Sequence, residues 1–202
     1  MAAKKKRELT LKGQKTKEKI LDTALELFSK YGYNQTTITE ISNKAGIAEG
    51  TIYIYYQSKE KLMLQAINKA INIVITEIDK IIGDEPNPLA KFYAFFEASI
   101  NVFSKRPDLA RFIVIEQFNL SQLSINDAEY TGFKDIIDYV KKICEAAVEK
   151  GYLREVDIDI LVFKCHGMID SLLKFWIISD YQADMLYVKN KLLEMLMFGL
   201  VP

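Results

Sequence analysis

TTITEISNKAGIAEGTIYIYY, residues 36–56, is the stretch from which the rest of the chain is best read. Thr37 followed three residues later by Glu40 is a capping-box pattern, in which side chains and backbone at a helix start satisfy one another. A short helix is expected to begin just after Thr37 and to carry Ile38, Ile41 and Ala45 inward. Gly46 breaks it, and a second short helix is expected over about 49–55. The break calls for a residue without a Cβ, so that the second helix can leave at a steep angle. Ile38, Ile41, Ala45, Ile47 and Ile52 would lock the pair together from inside. Glu49, Gly50, Thr51, Tyr53 and Tyr55 are then left around the outer face and N-terminal end of the second helix, where a reading helix meets base edges and phosphates.

Outward from this hairpin the whole chain reads as all-α, with about nine helices. It has four prolines and nine glycines, and no run alternates polar and apolar residues between turn signals, so a sheet is not expected. Before the hairpin, Ile20, Ala24, Leu27, Phe28 and Tyr31 form the apolar stripe of a helix over about 16–31. After it, Ser58 caps a helix that runs to about Ile82, roughly 36 Å at 1.5 Å per residue. Gly83, Pro86 and Pro88 end that helix. Further helices are expected at about 88–104, 107–121, 128–150, 157–179 and 184–198, with a polar connection over 121–127.

The residues of the hairpin and its flanks closely resemble the DNA-binding domain of the TetR repressor family. The resemblance rests on residues 20–32, Thr36-Thr37-Ile38-x-Glu40-Ile41, Ala45-Gly46-Ile47, Gly50-Thr51-Ile52-Tyr53-x-Tyr55-Tyr56 and Ser58-Lys59-Glu60-x-Leu62, and covers about residues 15–66. It implies that Thr37 caps its helix and approaches a phosphate, that Gly50 lets the backbone come close to DNA, and that Thr51 faces the major groove. It implies phosphate and thymine-methyl contacts for Tyr53 and Tyr55, and a phosphate contact for Lys59. Tyr56 stands where the family has a buried phenylalanine and is assigned to the core. Two positions depart from the pattern. Ala48 replaces a serine that caps the reading helix, a change that costs about 1 kcal/mol of helix stability. Glu49 replaces a basic or small polar residue; its carboxylate suits the helix dipole and repels phosphate, or accepts a hydrogen bond from a cytosine amino group.

Charge is distributed as such a reading requires. The chain has net charge zero, but residues 1–66 carry a net +5 and residues 67–202 a net −5. That asymmetry is expected when one end meets a polyanion. No apolar run follows Lys4, Lys5, Lys6 and Arg7, so a secretory leader is not expected, and no segment is long and apolar enough to span a membrane. Two separated cysteines suggest no disulfide framework, and the cytoplasm is the expected location. The expected organisation is a basic arm without fixed structure over 1–14, a helix-turn-helix domain over 15–60, and a helical effector-binding and dimerisation domain over 61–202.

For that last domain the resemblance implies dimerisation through the final two helices and a small-molecule cavity among the middle ones. The effector is expected to be largely apolar and to release the protein, as a homodimer, from an inverted repeat in double-stranded DNA. Leu161, Ile169, Leu172, Leu173, Leu192 and Leu196 are the apolar residues expected at the dimer interface. Gly167, inside a helix, suggests close helix approach there. Phe92, Tyr93, Phe95, Phe96, Phe103, Phe112 and Phe118 mostly build core, and Phe95 and Phe112 are candidates for a cavity wall. His166 and Asp170 are four apart and share a helix face, as a hydrogen-bonded core pair or as an effector anchor. Tyr139 and Trp176 are further pocket candidates, and Ile71, Val74, Ile75 and Ile78 are expected to face the cavity.

An enzyme is a distant alternative. Cys165 and His166 are adjacent and point about 100° apart on a helix, and no oxyanion loop accompanies Cys144 and His166. No Gly-rich phosphate loop or metal-ligand cluster appears, so neither cofactor nor metal is expected. An effector-independent architectural DNA-binding protein is the nearer alternative, disfavoured by the acidic C-terminal part.

Overall fold

The computed structural model describes residues 10–122 and 131–200, with side chains as far as residue 116 in the first stretch. The basic residues 4–7, the side chain of Phe118 and residues 123–127 of the expected connection lie outside the described residues. Among those described there are nine helices and no strand: α1 Leu11–Tyr31, α2 Ile38–Ala45, α3 Glu49–Tyr56, α4 Lys59–Ile82, α5 Pro88–Lys105, α6 Pro107–Gln122, α7 Thr131–Glu149, α8 Ile158–Ile178 and α9 Met185–Phe198. None is long and apolar enough to cross a membrane. The chain divides into two compact units, Met1–Ala66 and Ile67–Pro202.

In the first unit α1 begins five residues before its expected start, so residues 11–14 are helical rather than part of a free arm. The Thr10 side chain accepts from the Gly13 N–H at 3.2 Å and supplies the N-cap that periodicity did not reveal. α1 packs on α2 and α3. Ile20, Ala24, Ile41, Ala45 and Ile52 are fully buried between them, and Ile47 is half-buried. Gly46 lies in the left-handed region at φ +63°, where a side chain would be strained. Its N–H and that of Ile47 reach the carbonyls of Asn43 and Ser42, closing the turn. Tyr56 is buried, and its hydroxyl donates to the Lys17 carbonyl at 2.8 Å; burial first, then Asp22 and Glu18, hold the phenol well above its usual range. The extra oxygen on a core phenylalanine site is thus satisfied by a backbone acceptor on α1.

The second unit is built around α7 and α8, with α5 and α6 packed on them and α9 on α8 and α5. Phe92, Phe96, Phe112, Val140, Cys144, Leu161, Cys165 and Leu172 form its buried interior. α4 and α7 meet at Gly132, where a Cβ would lie 3.0 Å from the Asn68 Cα. The buried Asn68 side chain accepts the Gly132 N–H at 2.9 Å. Leu161, Ile169, Leu172 and Leu173, expected at a dimer interface, are buried within the chain, while Leu192 and Leu196 are half-buried. The exposed apolar stripe of α8 is instead Ile160, Phe163, Phe175 and Ile178, and α9 adds Leu186, Tyr187, Met195 and Phe198. α8 is apolar on both sides, so periodicity could not decide which stripe its own chain buries.

Candidate DNA-reading face and effector cavity

Thr37 is exposed at the N-cap of α2 in a complete capping box. Its Oγ1 accepts from the Glu40 N–H at 3.1 Å, and its own N–H donates to Glu40 Oε2 at 2.7 Å. These hydrogen bonds hold the Glu40 carboxyl below its usual range. At the start of α3, Ala48 occupies the N-cap and makes no side-chain capping bond. Glu49 and Gly50 are exposed, Thr51 and Tyr55 half-buried, and Tyr53 exposed. A Cβ at Gly50 would meet no atom of the described residues within 4 Å. Neither internal packing nor a positive φ requires glycine at that position, although glycine costs about 1 kcal/mol in a helix. Lys59, the first residue of α4, lies over the Tyr33 ring at 4.1 Å, and the Tyr33 hydroxyl donates to Glu60 at 2.8 Å.

Sequence reasoning missed Ile54, which is 77% exposed. It sits two residues from the fully buried Ile52, about 200° around the helix, so the spacing itself could have placed it at the centre of the outer face beside Gly50.

In the second unit a cavity of about 70 Å³ is enclosed by five helices. α4 contributes Ile71, Val74 and Ile78; α5 contributes Phe95, Ser99 and Phe103; α6 contributes Ile113 and Val114. Phe133, Ile136, Ile137 and Val140 come from α7, and His166, Ile169, Asp170 and Leu173 from α8. Three of the six expected pocket residues meet here: Phe95, His166 and Asp170. The two on α8 share a face, but the Asp170 carboxylate accepts from Lys174 at 2.7 Å rather than from the imidazole. His166 stands edge-on to Phe133 at 5.1 Å and makes no hydrogen bond among the described residues. Burial lowers its pKa, opposed by Asp170, so a neutral ring faces the cavity.

The other three lie elsewhere. Phe112 is buried beside Ile113 and Val114 but is not part of the wall. Trp176 donates to the Tyr181 carbonyl at 3.2 Å and stacks edge-on with that ring, fastening the end of α8 to the following turn. Tyr139 is turned about 100° around α7 from Val140, outside the wall but beside Phe95, and donates to Asp79 at 3.1 Å. Ile75 also falls outside the wall, one position off the stripe made by Ile71, Val74 and Ile78. The Cys165 thiol is buried against Cys144, whose hydrogen bond and the burial together push it up, which makes it a poor nucleophile.

Residues 20–66 match the family "Bacterial regulatory proteins, tetR family", and residues 67–199 match "YsiA-like protein, C-terminal region". The fatty acid metabolism regulator protein of Bacillus subtilis is 24% identical over 184 residues, covering 90% of this chain and 93% of its own. The HTH-type transcriptional regulator RutR of Escherichia coli is 26% identical over 148 residues, covering 73% and 68%. The crystal structure of FadR from Bacillus subtilis in complex with stearoyl-CoA superposes with a TM-score of 0.75 at 22% identity, over 90% of this chain and 98% of that one, and so shares its fold.

Proposed function

Because the chain belongs to the TetR family of DNA-binding transcriptional regulators, which are not enzymes, we propose that it is a cytoplasmic repressor released from an inverted-repeat operator by a long-chain acyl effector. Two copies meet through the exposed stripes of α8 and α9, which carry Phe163, Ile178, Met195 and Phe198. Gly167 lies on α8, and a Cβ there would meet nothing among the described residues, so its reason is sought in the partner. Each copy offers one reading helix. Gly50 and Ile54 approach the groove floor, Thr51 and Glu49 read base edges, and Thr37, Tyr53, Tyr55 and Lys59 hold the backbone. Phosphate contacts set the register and base contacts set the sequence. Ala48 leaves the N-terminus of the reading helix uncapped by a side chain.

The observation that carries the effector reading is the cavity: hydrocarbon walls from five helices, with Ser99, His166 and Asp170 as its polar positions. Such a lining suits an aliphatic chain better than a polar metabolite. A relative points the same way: the fatty acid metabolism regulator FadR of Bacillus subtilis, whose crystal structure holds stearoyl-CoA. α4 gives the coupling a path, since it starts at Lys59 and its later turns supply Ile71, Val74 and Ile78 to the wall.

The test is selection of bound duplexes from a randomised library, followed by release with stearoyl-CoA. Selected sites should be inverted repeats with half-site centres roughly 34–36 Å apart, and release should be saturable. If no acyl ligand shifts either DNA affinity or thermal midpoint, the protein is an effector-independent architectural binder instead.

A further inference from the structure

A groove of about 320 Å³ lies on the opposite side of Tyr139 from the cavity, between the start of α5 and one face of α7. Lys142 and Lys150 are eight residues apart on that face, two full helical turns, and Lys91 faces them from α5. Other lysines of α7 are neutralised: Lys134 pairs with Asp138, and Lys141 with Asp159 at 2.7 Å. Lys91, Lys142 and Lys150 form no ion pair among the described residues. Among the described residues the groove's one carboxylate is Glu85, which accepts the Asn87 N–H at 2.9 Å, so three lysines against it leave an excess of two positive charges.

Tyr139 lines this groove and stands against the cavity wall. Its ring centroid is 6.2 Å from that of Phe95, which lines the cavity, and its neighbour Val140 lines it too. Its hydroxyl is latched to Asp79, the residue after the cavity's Ile78. The cavity alone, about 70 Å³, holds only a few water-sized groups, far less than a long acyl chain needs. A long chain needs more room than that, and the side of the cavity at Tyr139 leads to the three lysines.

We propose that the Lys91–Lys142–Lys150 groove is the head-group subsite for an amphiphilic effector bearing phosphate groups, whose chain reaches the cavity as Tyr139 swings away from Asp79. This rests on the acyl reading of the cavity. Phosphate is favoured over carboxylate by the charge count. With Glu85 counted, a single carboxylate would still leave one positive charge unmatched, whereas a phosphorylated head carries enough negative charge to match the excess and presents several oxygens to lysines acting as point charges.

Calorimetric titration of the full-length protein with stearoyl-CoA, stearate and CoA separates the two claims. In the K91Q/K142Q/K150Q protein, stearoyl-CoA should bind about tenfold or more weaker, with a flatter salt dependence, while stearate binding stays unchanged. The substituted lysines are at the surface, so an unchanged thermal midpoint confirms the fold. Tyr139→Phe, which breaks the latch and keeps the ring, should speed stearoyl-CoA association in stopped flow. Equal stearoyl-CoA affinity in wild type and triple variant overturns the subsite and leaves the cavity reading standing. Failure of both stearate and stearoyl-CoA to bind wild type overturns the cavity reading and the subsite with it.

Discussion

Thr37 and Glu40 satisfy four groups with three contacts at the first turn of α2, and two of those contacts run to the Glu40 carboxylate. Thr37→Ala removes the hydroxyl and should cost about 1 kcal/mol of stability at neutral pH. The pH dependence has a definite sign. The Glu40 pKa is lowered in the folded state, first by the Thr37 backbone N–H, so its contribution is complete above the ordinary carboxylate range and is lost as pH falls through the depressed folded value. Urea melts of wild type and variant should therefore differ most at pH 7 and less below that range, where only the Thr37 Oγ1 contact with the Glu40 N–H still separates them; a constant gap would show that the Glu40 carboxylate gains nothing from the Thr37 hydroxyl. This cap was legible in the sequence because both partners lie within one turn. Ile54 was overlooked because the family pattern leaves that position open, although angular spacing from Ile52 marks it as outward. Phe95, His166 and Asp170 line the cavity, whereas Tyr139, Phe112 and Trp176 lie outside its wall, because an aromatic on an amphipathic helix can face either of two neighbours.

At the scale of helices, the order and number of elements followed from caps and breakers, each of which acts on its nearest neighbours. Asp157 accepts from Ile160 at 3.1 Å and Asn87 from Leu89 at 2.9 Å, so α8 and α5 begin where the sequence placed them. Which helix touches which was not legible, because it depends on residues far apart in the chain. The Asn68–Gly132 contact is the clearest case, with 64 residues between its partners. There α4 and α7 approach so closely that a Cβ on Gly132 would press on the Asn68 Cα at 3.0 Å and on its side-chain oxygen at 3.1 Å. Backbone cannot yield as a flexible side chain can, so Gly132→Ala should destabilise the second unit by about 1–3 kcal/mol despite alanine's better helix propensity. Gly167→Ala is the matching control, since a Cβ there meets nothing among the described residues. In denaturant unfolding the first should lower the midpoint, and the second should leave the monomer's stability equal or higher. If Gly132→Ala is neutral, the two helices are free to separate by a few tenths of an ångström, and the contact does not fix them.

For the molecule as a whole, the acyl reading and the DNA reading are bound together by thermodynamics. A ligand that releases DNA does so by a coupling free energy, and about 1–3 kcal/mol already changes DNA affinity by 5–150-fold. Reciprocity requires operator DNA to weaken effector binding by the same factor. The proposed dimer sharpens the demand. An operator with two half-sites would hold both reading helices, so the effector's action on either copy would be felt by the pair. Titrating stearoyl-CoA into free protein and into the protein–operator complex measures one side of this equality. Titrating operator with and without saturating stearoyl-CoA measures the other. The two ratios should agree within error, and both should fall towards one in a protein whose cavity is filled by Ser99→Leu, a buried position on the wall. If stearoyl-CoA binds equally well with and without operator, the cavity binds lipid without governing DNA, and the switch must lie elsewhere in the chain.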